Sequence, residues 1–268
     1  FVIFAVVAVL FLYFFLRKSE YVTLTLRVTS SDSLANNWYD RPAQWYLGVL
    51  QPGLESVDLL GRPIVSVSDT YYYPTYTNLE TIFVNLNVRA VYNKNTNEYS
   101  YNGTPLLVGK LVDFNVGGVY LEGLIHSIED TNRDEKLTYR VSGELEYINN
   151  GRAQEEQTEL EGIRTYLAET VNEGKSYRDS KGNVYATLID VVKATAYKKF
   201  IYNNSVVTVP DQERTKVFVT ADIKVENING IPHYQGETIL KRGAVVPFPS
   251  DDSTVHLTVY DMELLTAN

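Results

Sequence analysis

The chain has 268 residues, a net charge of −9, 21 tyrosines and no cysteine. The absence of cysteine excludes disulfides, thiolate metal sites and thiol redox chemistry. The acidic balance argues against nucleic acid and against a body that lies along an anionic lipid surface.

The first sixteen residues, FVIFAVVAVLFLYFFL, carry no charge and are followed by Arg17 and Lys18. Sixteen helical residues cover about 24 Å, against a hydrocarbon core of roughly 30 Å, so a few more apolar residues would complete a span. We therefore expect a transmembrane anchor helix over residues 1–20. Phe1, Phe4, Leu10, Phe11, Phe15 and Leu16 would supply its lipid-facing bulk, and its aromatic end would sit at the interface. A pilin-like stem is the rival, but Ala5 stands where pilins carry glutamate.

From residue 21 the pattern changes. In YVTLTLRV, Val22, Leu24, Leu26 and Val28 alternate with polar residues, the period of a half-buried strand. PAQWYLGVLQPG then reads as a short helix, with proline suited to its start and Pro52-Gly53 to its stop. Gly53, Asp58 and Gly61 follow with the spacing of a tight Asp-x-x-Gly turn. Tyr71, Tyr72, Tyr73 and Tyr76 form an aromatic cluster suited to a protein interface or to sugar stacking, and equally to a tyrosine-rich hairpin. Asp130, Asn132 and Asp134 have the spacing that opens a calcium loop. Glu135 replaces the required glycine and Val141 the bidentate glutamate, so a polar linker is the expectation there.

The second half repeats the first. Gly174, Asp179 and Gly182 reproduce the turn, VFVTADIKV matches IFVNLNVRA, and YQGETILKRGAVVPF matches YNGTPLLVGKLVDF with one inserted residue. LTYRVSGELEY corresponds to YVTLTLRV, and Leu160, Ile163, Leu167 and Val171 recur at helical spacing. Between turn and long strand the second copy is about fourteen residues longer, in a basic segment containing VKATAYKKFIYNNSVV. The expected fold class is mainly β: the anchor, a β-domain repeat over 21–130 and a second over 131–268. Each would be of sandwich or barrel type with one short helix.

His126, His233 and His256 stand at no metal-ligand spacing, and no nucleophile motif appears, so neither catalysis nor a cofactor is expected. Anchor, strand, short helix, Gly-x4-Asp-x2-Gly turn and β-rich remainder resemble a group of uncharacterised bacterial single-pass membrane proteins with a β-domain of unknown function. That resemblance implies an envelope location. VDLLGRPIVSVSD is similar, more weakly, to the mammalian-cell-entry domain of lipid transporters, whose second glycine pair is absent here. The expected role is an extracytoplasmic, membrane-anchored assembly subunit whose partners are copies of itself or other subunits. A lipid-transport ring, a pilin-like filament and a glycan-binding surface protein are the alternatives.

Overall fold

The structure is a computed structural model that describes residues 19–29, 45–76, 79–128, 136–147, 158–203, 205–228, 230–248 and 255–265. The chain is mainly β and divides into two compact units. The boundary falls after Thr131, and the short stretch Tyr73–Glu80 groups with the second unit.

The first unit is built from β1 (Ser19–Val28), α1 (Trp45–Val49), β2 (Glu55–Val57), β3 (Pro63–Tyr76), β4 (Leu79–Asn93), β5 (Glu98–Tyr101), β6 (Thr104–Leu106), β7 (Leu111–Val116) and β8 (Val119–Ile128). Its sheet follows the path β2-β3-β4-β1-β8-β7, with the β5–β6 hairpin attached to β4. Alternation decides which face is inside. Val22, Leu24 and Leu26 of β1 lie opposite Val88, Leu86 and Val84 of β4, and all six are buried. On the other face Thr23 and Thr25 donate to Asn87 and Asn85 across the same pair of strands. The two ends of the path meet: Ser56 Oγ of β2 donates to the Asn115 carbonyl beside it (2.8 Å) and accepts from the Gly117 N–H. The sheet thus curls nearly closed around one apolar core, against which Leu50 and the α1 residues Tyr46 and Leu47 pack.

The second unit contains β9 (Lys136–Tyr147), β10 (Thr158–Leu160), β11 (Ile163–Arg164), α2 (Thr165–Thr170), β12 (Ser176–Arg178), β13 (Val184–Tyr202), β14 (Ser205–Ile228), β15 (Ile231–Tyr234), β16 (Thr238–Ile239), β17 (Val245–Pro247) and β18 (Val255–Leu265). Its central order, β13-β14-β9-β18-β17 with β12 on β13 and the β15–β16 hairpin on β14, is the path of the first unit strand for strand. Even the irregularities coincide. β1 and β8 slip register at His126, and β9 and β18 slip at Tyr260. Here Tyr177 of β12 and Phe248, just past β17, meet edge to face at 5.4 Å, so this sheet also brings its ends together.

One element departs from the sequence pattern. The apolar spacing from Leu160 to Val171 predicts a helix of three turns, whereas α2 is confined to Thr165–Thr170. Gly162 takes a φ of +67°, and an added Cβ there would lie 2.4 Å from the Thr215 carbonyl oxygen. Left-handed backbone and close approach to β14 interrupt the helix, so Leu160 and Ile163 enter β10 and β11 instead.

Candidate functional site

The repeated turns are saturated by their own side chains. Asp58 Oδ1 accepts the N–H groups of Leu60 (2.9 Å) and Arg62 (3.0 Å), and Oδ2 takes the guanidinium groups of Arg62 and Arg89. Asp179 Oδ1 likewise accepts the N–H groups of Lys181 and Asn183, and Oδ2 the Asn183 side-chain amide. Gly61 and Gly182 supply the positive φ that closes each turn. Gly53 and Gly174 tie the preceding chain to the sheet by donating to Val67 and Leu188. These groups form two matching turns, and a strand, not a helix, follows each.

The turn carries a pH prediction. The Arg62 N–H, opposed by desolvation and aided by Arg89, Leu60 and the Arg62 side chain, holds the Asp58 carboxyl far below the ordinary carboxylate range. A depressed folded pKa contributes stability above the unfolded value near 3.9, which is lost as pH falls toward the folded pKa. Asp58→Asn should therefore lower the urea midpoint at neutral pH, with the gap to the parent closing below about pH 4. A gap that stays constant into acid would show that the carboxylate charge contributes nothing.

The tyrosine cluster is spread over different surroundings. Tyr71 stacks on Phe83 with ring centroids 5.2 Å apart, Tyr72 packs against the first core, and Tyr73, in the stretch that groups with the second unit, is buried with its ring edge-on to Tyr185 of that unit. Tyr76 ends β3, and its side chain lies outside the described residues. Asp130, Asn132 and Asp134, and the anchor residues Phe1, Phe4, Leu10, Phe11, Phe15 and Leu16, also lie outside them. Among the described residues no three His, Asp or Glu side chains converge on a possible metal position, and no helix is long and apolar enough to cross a membrane.

Two features of the second unit were not visible as sites in the sequence. The first is a charge network on the outer face of its sheet. Glu144 of β9, 4 % exposed, accepts the Tyr260 hydroxyl proton at 2.6 Å and pairs with Lys216 Nζ at 3.4 Å. Lys216 also reaches Glu161, which pairs with Lys199, while Thr258 donates to Glu146. Desolvation and the neighbouring Glu144 carboxylate push the Tyr260 phenol well above its usual range. These ion pairs and hydrogen bonds tie β9, β14, β18 and the segment before β11 together on one face of the sheet.

The second feature is an arm. β13 and β14 continue to pair past the body as far as Tyr202 and Ser205. Ile201 and Val206 oppose each other near the tip and are both exposed, as is Tyr202; Val206 is 71 % exposed. β10 lines the β13 side by pairing with Lys198, Lys199 and Phe200. The β14 edge from Ser205 to Pro210 has no further strand beside it among the described residues. Gln212, Glu213 and Arg214 bulge out at the base of the arm, where Leu160, Lys198, Phe200 and Pro210 help line an open groove of about 820 Å³.

Comparison with protein-family models, with curated proteins and with solved structures finds no match to this chain.

Proposed function

We propose that the chain is a membrane-anchored, extracytoplasmic assembly subunit, with no catalytic activity, made of two tandem β domains that arose by duplication. The apolar residues 1–16 would fix it to the bilayer, and the nearly closed sheets would act as rigid bodies that present loops. The shared strand path, the matching turns and the equivalent bulges support the duplication.

The observation that carries the assembly role is the arm. Natural sheets blunt exposed edges and avoid clustered exposed apolar residues, because both invite pairing with another chain. The arm keeps both features: Ile201, Tyr202 and Val206 at its tip and, among the described residues, an open β14 edge. Residues 192–210 hold Lys193, Lys198 and Lys199 and no carboxylate, in a chain whose net charge is −9. That contrast suits an arm seated on the acidic body of another copy, where charge complementarity steers the encounter and apolar contact holds it.

The test is light scattering of the full chain in detergent, with and without the triple change Ile201→Ser, Tyr202→Ser and Val206→Ser. The parent should exceed the monomer mass and the triple variant should return to it, with an unchanged circular dichroism spectrum because all three residues are already exposed. A parent that stays monomeric across the concentration range would sink self-association through the arm.

A further inference from the structure

The duplication allows the two units to be compared turn by turn, and one end of the first unit is chemically different. At the positions after the turn aspartate the first unit has Leu59 and Leu60, where the second has Ser180 and Lys181. At the turn before β7 the first unit has Leu107 and Val108, where the second has Lys241 and Arg242 before the equivalent strand β17. Leu59 is fully exposed, Leu60 74 %, Val108 47 % and Leu107 41 %. One exposed leucine needs no explanation, whereas four apolar side chains at four positions that are otherwise polar or basic do.

These four residues share the end of the unit at which the chain arrives from residues 1–18. Tyr21, near the start of β1, donates its hydroxyl proton to the Pro63 carbonyl at 2.9 Å, just past the Asp58 turn. Its cross-strand partner Arg89 bonds Asp58 itself. β2 and β7 meet at Ser56 at the seam, and β2 runs toward the Asp58 turn. The sheet is antiparallel throughout, so β7 starts at the same end, immediately after Leu107 and Val108. Tyr21, itself exposed, and Lys94 in the β4–β5 turn stand at this end too, residue types that suit a lipid headgroup layer.

We infer that the Leu59–Leu60 and Leu107–Val108 turns of the first unit rest in the interfacial layer of the bilayer, so that this unit stands end-on against the membrane beside its anchor. The inference rests on the anchored reading above and adds an orientation to it. End-on contact through two apolar turns is compatible with the acidic net charge, because it requires only those turns to enter the lipid. Lipid is favoured over a second subunit because the apolar turns lie beside the point where an uncharged sixteen-residue segment joins the sheet.

The chain has no cysteine, so single-cysteine labels are clean. Leu60→Cys, Val108→Cys, Lys181→Cys and Arg242→Cys in the full chain would each carry an environment-sensitive fluorophore. The proteins would be reconstituted in phosphatidylcholine vesicles with and without nitroxide-labelled phosphatidylcholine. Flotation with the vesicles reports the anchor. Quenching by the nitroxide lipid reports the turns. The expected result is flotation of all four, with blue-shifted, quenched emission at 60 and 108 and water-like, unquenched emission at 181 and 242. Flotation with no quenching at 60 and 108 overturns the inference and leaves the anchor intact. A blue shift there without quenching assigns the turns to a protein partner and also overturns it, as does equal quenching at all four sites. Failure to float overturns the anchored reading itself.

Discussion

Replacing Gly143 by alanine should destabilise the second unit by about 3 kcal/mol, the scale of forced overpacking in a closed interior. Gly143 sits in β9 between Val219 of β14 and Val259 of β18. A Cβ there would lie 2.1 Å from the Thr258 carbonyl oxygen and 2.9 Å from Leu257 Cδ1. The nearer obstacle is backbone held in a ladder, so relief requires β18 to move and its hydrogen bonds to stretch. The first unit shows how the same crossing is otherwise solved. There Leu26 occupies the position of Gly143, and Gly123 stands where the second unit has Leu257. One partner of the diagonal pair is leucine and the other glycine in both units, with the assignment exchanged. Urea denaturation followed by circular dichroism should therefore rank Gly143→Leu below the double exchange Gly143→Leu with Leu257→Gly. If the double variant is no more stable than the single one, the constraint lies in the Thr258 backbone alone.

Some of this architecture could be read directly and some could not, for physical reasons. Alternation in YVTLTLRV and IFVNLNVRA is legible because one face of β1 and β4 is core and the other carries threonine and asparagine, which bond across the strands. The turns are legible because Asp58 and Asp179 complete them through atoms within four residues in sequence. The helix expected from Leu160 to Val171 fails because apolar spacing cannot report the contact of Gly162 with β14, more than fifty residues away. Lys216 and Glu144 could not be paired from sequence either, since each looks like an ordinary polar-face residue of its own strand. What the sequence did carry was the length of the insertion. Fourteen more residues between turn and strand become an arm because VKATAYKKFIY and SVVTVP are both β-prone and meet through a tight Asn203 turn of positive φ.

Lys216→Met should cost about 2–3 kcal/mol, at or below the lower end of what breaking a buried ion pair costs, because the lysine is itself partly exposed. The partner is what makes the loss large. Glu144 is covered on the outer face of β9, and without Lys216 Nζ at 3.4 Å it keeps the Tyr260 hydroxyl as a donor but loses its neutralising charge. Lys216 also contacts Glu161 at 3.7 Å and lies over the Phe218 ring, so the substitution loosens the link between β14 and the segment leading into β11. A double-mutant cycle separates these effects. If the cost arises from an uncompensated carboxylate, Glu144→Met in the Lys216→Met background should restore stability, and the two changes together should cost less than Lys216→Met alone. If it arises from the Glu161 contact and the Phe218 packing, the second change should add to the first. Tyr260→Phe supplies the third arm, since it removes the hydroxyl that donates to Glu144 while keeping the ring. It should hurt the Lys216→Met protein more than the parent, because a buried carboxylate stripped of both partners has to be neutralised or exposed. Urea midpoints for the parent, the three single variants and the two double variants, measured at one pH and ionic strength, decide whether this network clamps the face beside the arm by charge or only by shape.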